Sequence, residues 1–185
     1  MADNACIGIV ELSSISKGFE VQDAVLKSAN VRKLVARTIW SGKYLILVAG
    51  EHADVESCLQ TAVRIGGYAV IQTVAIPQVD ERVFPALAGT APEAPEAKGV
   101  LVVETFSAAS AVKLADLAAK QADVSILRIH LAMAIGGKGM AVFAGDTESL
   151  KSALDPVLEF SRDDGMLAGV ALIPNPHPDL LQELL

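Results

Sequence analysis

The sequence predicts an α+β protein of two homologous domains in tandem, each a mainly antiparallel four-stranded sheet with flanking helices. Three observations carry that expectation: an internal repeat, the same order of strand and helix patterns in both copies, and a Pro/Ala/Glu segment between them. Setting GIVELSSIS, from Gly8, against LVVETFSAA, from Leu101, aligns Glu11 with Glu104 at a spacing of 93 residues. The same spacing pairs Val10 with Val103, Ser14 with Ser107, Asp23 with Asp116, Lys27 with Lys120, Ala29 with Ala122 and Val31 with Val124. Seven identities between positions 8 and 31 are several times the chance rate. Farther on the spacing becomes 95, where Gly42-Lys43 matches Gly137-Lys138 and Ala49-Gly50 matches Ala144-Gly145. The second copy therefore carries two added residues before its Gly-Lys turn. Ile76-Pro77 matches Ile173-Pro174 at 97. Between the copies AGTAPEAPEAKG, from Ala88 to Gly99, has no apolar periodicity and reads as a linker. The expected boundaries are 5–87 for the first domain, 88–98 for the linker and 99–185 for the second domain.

Each copy opens with a short apolar strand, CIGIVEL or GVLVVET. A helix follows, from Phe19 to Ala29 and from Val112 to Ala122, with Val21, Ala24, Val25 and Ala29 at helical spacing. Two strands then flank a glycine turn: VRKLVARTI, WSGK and YLILVAG in the first copy, VSILRIHLAMA, IGGKG and MAVFAG in the second. A second helix starts at the acidic and capping residues Glu51 to Asp54, and at Asp146, Thr147 and Glu148. A fourth strand, YAVIQTVAIP or MLAGVALIP, precedes a short helical tail.

Composition narrows the function. With 15 basic and 22 acidic residues in 185, the net charge is −7, which argues against nucleic acid as a partner. Apolar residues are 52% and charged residues 20% of the chain, so disorder is excluded. A membrane span is not expected, because the longest uncharged stretch, Ile65 to Val79, is 15 residues and contains Gln72, Thr73 and Pro77. The opening MADNACIG has no basic stretch followed by an apolar core and is not expected to be a signal peptide. Cys6 and Cys58 are too few for a disulfide scaffold, which fits a cytosolic compartment. A soluble chain this apolar is expected to cover part of its surface with copies of itself.

The candidate chemical motifs mostly fail on spacing. A phosphate loop needs Gly five residues before its second Gly and Ser or Thr after the Lys. Here those places hold Arg37 and Tyr44 in one copy, and Ala132 and Gly139 in the other. Both Gly-Lys sequences read instead as tight hairpin turns. His52, His130 and His177 share no metal-ligand spacing with one another or with the cysteines. Glu11 and Glu104 each end a strand, and a hydrolase using them as an acid pair is a distant option. Asp23/Lys27 and Asp116/Lys120 have helical i,i+4 spacing, worth a few tenths of a kcal/mol as isolated surface pairs. Trp40, the sole tryptophan, sits in the turn Trp40-Ser41-Gly42-Lys43. A tryptophan there packs on its own domain, or meets a subunit interface, a symmetry axis or a ligand.

The repeated pattern resembles the shell proteins of bacterial microcompartments, closest to their tandem-domain, trimer-forming T-type class. The resemblance covers nearly the whole chain and rests on GIVELSSISKGFEVQDAVLKSANV, TIWSGK, HLAMAIGGKG and the closing IPNPHPDL. It implies two tandem ferredoxin-like-related microcompartment shell domains in unpermuted order, and a structural tile rather than an enzyme. It further implies that three chains form a ring of six domains within the shell, in the cytoplasm, touching other shell proteins and passing small metabolites. On that resemblance Trp40, Ser41, Gly42, Gly136, Gly137 and Lys138 line the pore. Lys27, Lys120, Asn175 and His177 fall at tile-edge contacts. Where T-type relatives with an iron–sulfur cluster place a ligating cysteine, this chain has Trp40, so no cluster and no other cofactor is expected. The family's closing motif usually carries Arg between its prolines, whereas this chain has Asn175, and Gln78 followed by Val79 in the first copy. The alternative reading is a tandem small-molecule sensor that binds an effector between its repeats.

Overall fold

The computed structural model describes residues 6–91, 97–133 and 135–184. Residues 5 and 185 at the expected domain ends, residues 92–96 of the expected linker, and Ala134 lie outside the described residues. The first repeat runs β1 (Cys6–Leu12), α1 (Ile15–Ser28), β2 (Arg32–Ile39), β3 (Lys43–Gly50), α2 (His52–Gly66), a single 3-10 turn (Gly67–Ala69), β4 (Val70–Ile76) and α3 (Val83–Ala88). The second runs β5 (Gly99–Thr105), α4 (Ala108–Gln121), β6 (Ser125–Leu131), β7 (Gly139–Gly145), α5 (Thr147–Asp164), β8 (Leu167–Pro174) and α6 (Pro178–Leu184). The sheets have matching orders, β2-β3-β1-β4 and β6-β7-β5-β8, and every neighbouring pair is antiparallel.

Caps, not apolar stripes, set where the helices begin. The Ser14 hydroxyl accepts from the Lys17 N–H, and the Ser107 hydroxyl from the Ser110 N–H, so α1 and α4 start four residues before the apolar spacing predicts. These two serines are one of the repeated identities. Asp146 caps α5 in the same way, accepting from the Ser149 N–H at 2.8 Å. β6 stops at Leu131, three residues short of the expected strand, because the next residue, Ala132, turns the backbone out at φ +58°.

The contact pattern divides the chain into two compact units. One comprises residues up to Val79 together with Ala132–Gly137; the other comprises Asp80–Leu131 and the chain from Lys138 onward. In the first unit Cys6, Val10 and Leu12 of β1 join Tyr44, Ile46 and Val48 of β3 beneath Val21 and Val25 of α1 and Val55, Cys58, Leu59 and Ala62 of α2. In the second, Val100 of β5 and Val142 and Ala144 of β7 share a cluster with Leu181 of α6. Segment 80–91, including α3, belongs to this second unit, where α3 packs on β6 and α4.

One packing detail differs between the repeats in a compensating way. In the first, Tyr44 lies over Gly18, with its ring against Phe19 at 4.9 Å between centroids and its hydroxyl donating to Gln22 Oε1 at 2.6 Å. In the second, the corresponding pair is Gly139 and Ala111, with the small residue on the strand instead of the helix. Burial pushes the Tyr44 phenol above its ordinary pKa.

Candidate functional site

The β2–β3 hairpin needs left-handed backbone at its tip. Ser41 has φ +67° and Gly42 φ +73°, and glycine pays no Cβ penalty there. Strand β2 delivers Trp40 to this tip with 56% of its surface exposed. The Trp40 N–H donates to the Ala132 carbonyl at 3.3 Å. That acceptor opens the corresponding turn of the second repeat, whose Gly136 and Gly137 are also left-handed, at φ +66° and +83°. A Cβ on Gly137 would stand 3.4 Å from Ser41 Oγ and 3.5 Å from the Trp40 carbonyl oxygen. The structure thus places Trp40, Ser41 and Gly137 side by side within the first unit. Gly42 and Gly136 lie on the same two turns, with open space beside their α-carbons.

Lys138 follows in the second unit, and its ammonium donates to Glu104 Oε1 at 3.2 Å. In the first unit Lys43 donates to Glu11 Oε1 at 2.9 Å, and the Glu11 side chain is fully buried. The two carboxylates singled out by the sequence therefore do the same work in both repeats. Each ends the central strand and holds the lysine that follows the glycine turn. Sequence reading missed this pairing because the partners lie 32 and 34 residues apart.

The two helix lysines are not equivalent. Lys27 pairs with Asp23 at 2.7 Å with both side chains largely exposed. Lys120 pairs with Asp116 at the same distance, but Asp116 is fully buried and also accepts the Asp80 N–H at 2.9 Å. Beside them Arg82 donates from two nitrogens to the two carboxylate oxygens of Asp80, 2.8 Å each. Its guanidinium also donates to the carbonyls of Ala119, Ala122 and Val124, where α4 ends and leaves acceptors unpaired. Hydrogen bonding to Arg82 holds the Asp80 carboxyl below its ordinary pKa. Sequence reading missed this cluster too. Its one visible sign is the helix AASAVKLADLAAK, small and apolar on nearly every side, which a solvent-facing helix is not.

At the ends of the repeats Gln78 and Asn175 adopt the same left-handed backbone, φ +48° and +47°. The Asn175 N–H donates to the Lys98 carbonyl at 2.9 Å. His177 is exposed, and its Nδ1 accepts the Asp179 N–H at 3.2 Å at the start of α6. The turn residues supply an indole, a hydroxyl and bare backbone, but no thiolate, so they do not fit an iron–sulfur cluster.

Comparison with known proteins agrees with the repeat. The BMC domain family model matches twice, over residues 6–79 and 100–176. The chain is 36% identical over 178 residues to the bacterial microcompartment shell protein PduT of Citrobacter freundii, covering 96% of each. Its structure superposes on that of a microcompartments protein from Desulfitobacterium hafniense with a TM-score of 0.88 at 34% identity, covering 96% of this chain and 98% of that one. A double-ringed trimeric shell protein of the RMM microcompartment shares the fold at a TM-score of 0.67 and 16% identity, covering 86% and 82%. With both repeats matched and nearly the full length aligned, the chain belongs to the BMC-domain family of bacterial microcompartment shell proteins, structural components of the shell and not enzymes.

Proposed function

We propose that three copies close into a pseudohexameric trimer, a tile of the shell with a central opening for small metabolites. The opening is lined by Trp40, Ser41, Gly42, Gly136, Gly137 and Lys138, and the tile meets other shell proteins along an edge that includes Lys27, Lys120, Asn175 and His177. The observation that supports this most is the Trp40–Ala132 hydrogen bond, which sets the glycine turns of both repeats next to each other in one unit. Ring symmetry would bring three such pairs around an axis. Because Glu104 offsets much of the charge of Lys138, backbone N–H groups of the glycine turns and the three indoles would set the character of the mouth. Light scattering at micromolar concentration tests the assembly. The expected particle has three times the 19.3 kDa mass of the chain, and a stable particle of single-chain mass contradicts the proposal.

A further inference from the structure

The two strand-end ion pairs are built alike and buried differently. Glu11, near the end of β1, stands opposite Gln72 of β4, and its side chain is fully buried while that of Lys43 is 22% exposed. Glu104, near the end of β5, stands opposite Gly169 of β8, the counterpart of Gln72. Glycine puts no side chain beside that carboxylate, where a Cβ would stand 3.6 Å from Glu104 Oε2. Glu104 and Lys138 are 42 and 41% exposed, 3.2 Å apart. The second repeat thus keeps its pair in water at the foot of its glycine turn, whereas the first repeat shuts its carboxylate in. The turns themselves, WSG at 40–42 and AMAIGG at 132–137, carry no charged side chain. Of the two lysines that follow the turns, Lys138 is therefore the one whose charge and countercharge both reach solvent.

We propose that the Glu104–Lys138 pair cancels the charge at the opening, which then passes uncharged, oxygen-bearing small molecules in preference to anions or cations, and that Glu104 sets this preference. The inference rests on the reading that the glycine turns line an opening. Charges 3.2 Å apart lie well inside the ~8 Å screening length of physiological salt, so a solute at the mouth meets a dipole and not a net charge. Three copies repeat that cancellation around the axis. An ion passing the three indoles sheds hydration water with no opposite net charge to replace it. An uncharged alcohol or carbonyl compound gives up hydrogen bonds only, and the Ser41 hydroxyl and the turn backbone can restore them. Lys138 without Glu104 would instead leave three positive charges focused in a narrow mouth, which favours anions. Glu11, shut away from solvent, holds its lysine without setting that charge.

The test is the ion selectivity of the trimer in a planar lipid bilayer between unequal concentrations of potassium chloride, with light scattering to check that each variant has three chains. The wild-type protein is expected to separate potassium from chloride by less than about twofold. Glu104→Gln, close in shape and at a half-exposed site, is expected to favour chloride at least about fivefold, and Lys138→Gln to favour potassium by as much. Combining the two is expected to bring the ratio back to within about twofold of unity. A Glu104→Gln trimer that conducts with unchanged selectivity overturns the inference and leaves the opening standing, and so does a wild-type ratio far from unity. A trimer that conducts nothing overturns the opening itself and the inference with it. If Glu104→Gln does not assemble, Lys138→Gln carries the same test with the sign reversed. Vesicles bearing the wild-type trimer test the solute class. Erythritol, an uncharged polyol, is expected to enter at least about fivefold faster than potassium acetate, and equal rates overturn that preference.

Discussion

Asp116→Ala is expected to cost about 2–3 kcal/mol of stability, whereas Lys27→Ala is expected to cost less than about 0.5 kcal/mol, although the two residues belong to matching ion pairs. Removing the buried carboxylate strands the Asp80 N–H, whose loss runs to the full desolvation cost of the group left behind, and deletes the 2.7 Å ion pair with Lys120. Lys120 is partly exposed, which keeps the cost below that of a fully buried pair. For a chain of this size each kcal/mol moves the melting temperature by ~2–4 °C, so Asp116→Ala should melt roughly 5–10 °C lower. Lys27 and Asp23 stay hydrated in either case, so their attraction is weak and screened. Thermal melts of the two variants side by side check this. Equal small shifts would show that segment 80–91 does not depend on Asp116.

Gly18→Ala should lower stability by about 2–3 kcal/mol, the opposite sign from helix propensity, which favours Ala over Gly by ~1 kcal/mol. The added Cβ would overlap Tyr44 Cβ and the first atoms of its ring. That ring cannot step aside freely. It is 2% exposed, bonded to Gln22 through its hydroxyl and packed on Phe19. Combining Gly18→Ala with Tyr44→Gly, the pairing that Ala111 and Gly139 make in the second repeat, removes the clash, so the double variant should be more stable than the sum of the singles by more than about 1 kcal/mol. Denaturant unfolding of the four proteins in the cycle measures that coupling, and additive costs would contradict the packing account.

Much of the fold is legible in the chain because its causes are local. The strands are short apolar runs, the hairpin tips carry glycine, and Asp146 announces a helix start through its own carboxylate, whereas the caps Ser14 and Ser107 went unread and α1 and α4 begin four residues before the apolar spacing predicts. Trp40 was readable as a turn residue for the same reason. What was not legible is long-range. Glu11 with Lys43 and Glu104 with Lys138 pair across strands. Asp116 and Asp23 have the same neighbours in sequence, yet one is buried and the other hydrated. The exchange of Tyr44 over Gly18 for Gly139 beside Ala111 was present in the aligned repeats, but it has meaning only once helix and strand are seen to cross there. The sensor alternative had no residue-level support to distinguish it from a tile; the family match at full length decides in favour of the shell component.

In the proposed tile the glycine turns of both repeats surround the axis of a three-chain ring. An experimental structure of the assembled particle tests it most directly. Three chains are expected, with the Trp40 turn and the Ala132–Gly137 turn of each copy around one opening. Trp40 at the outer rim of the particle, or buried inside its own domain away from any axis, would contradict it.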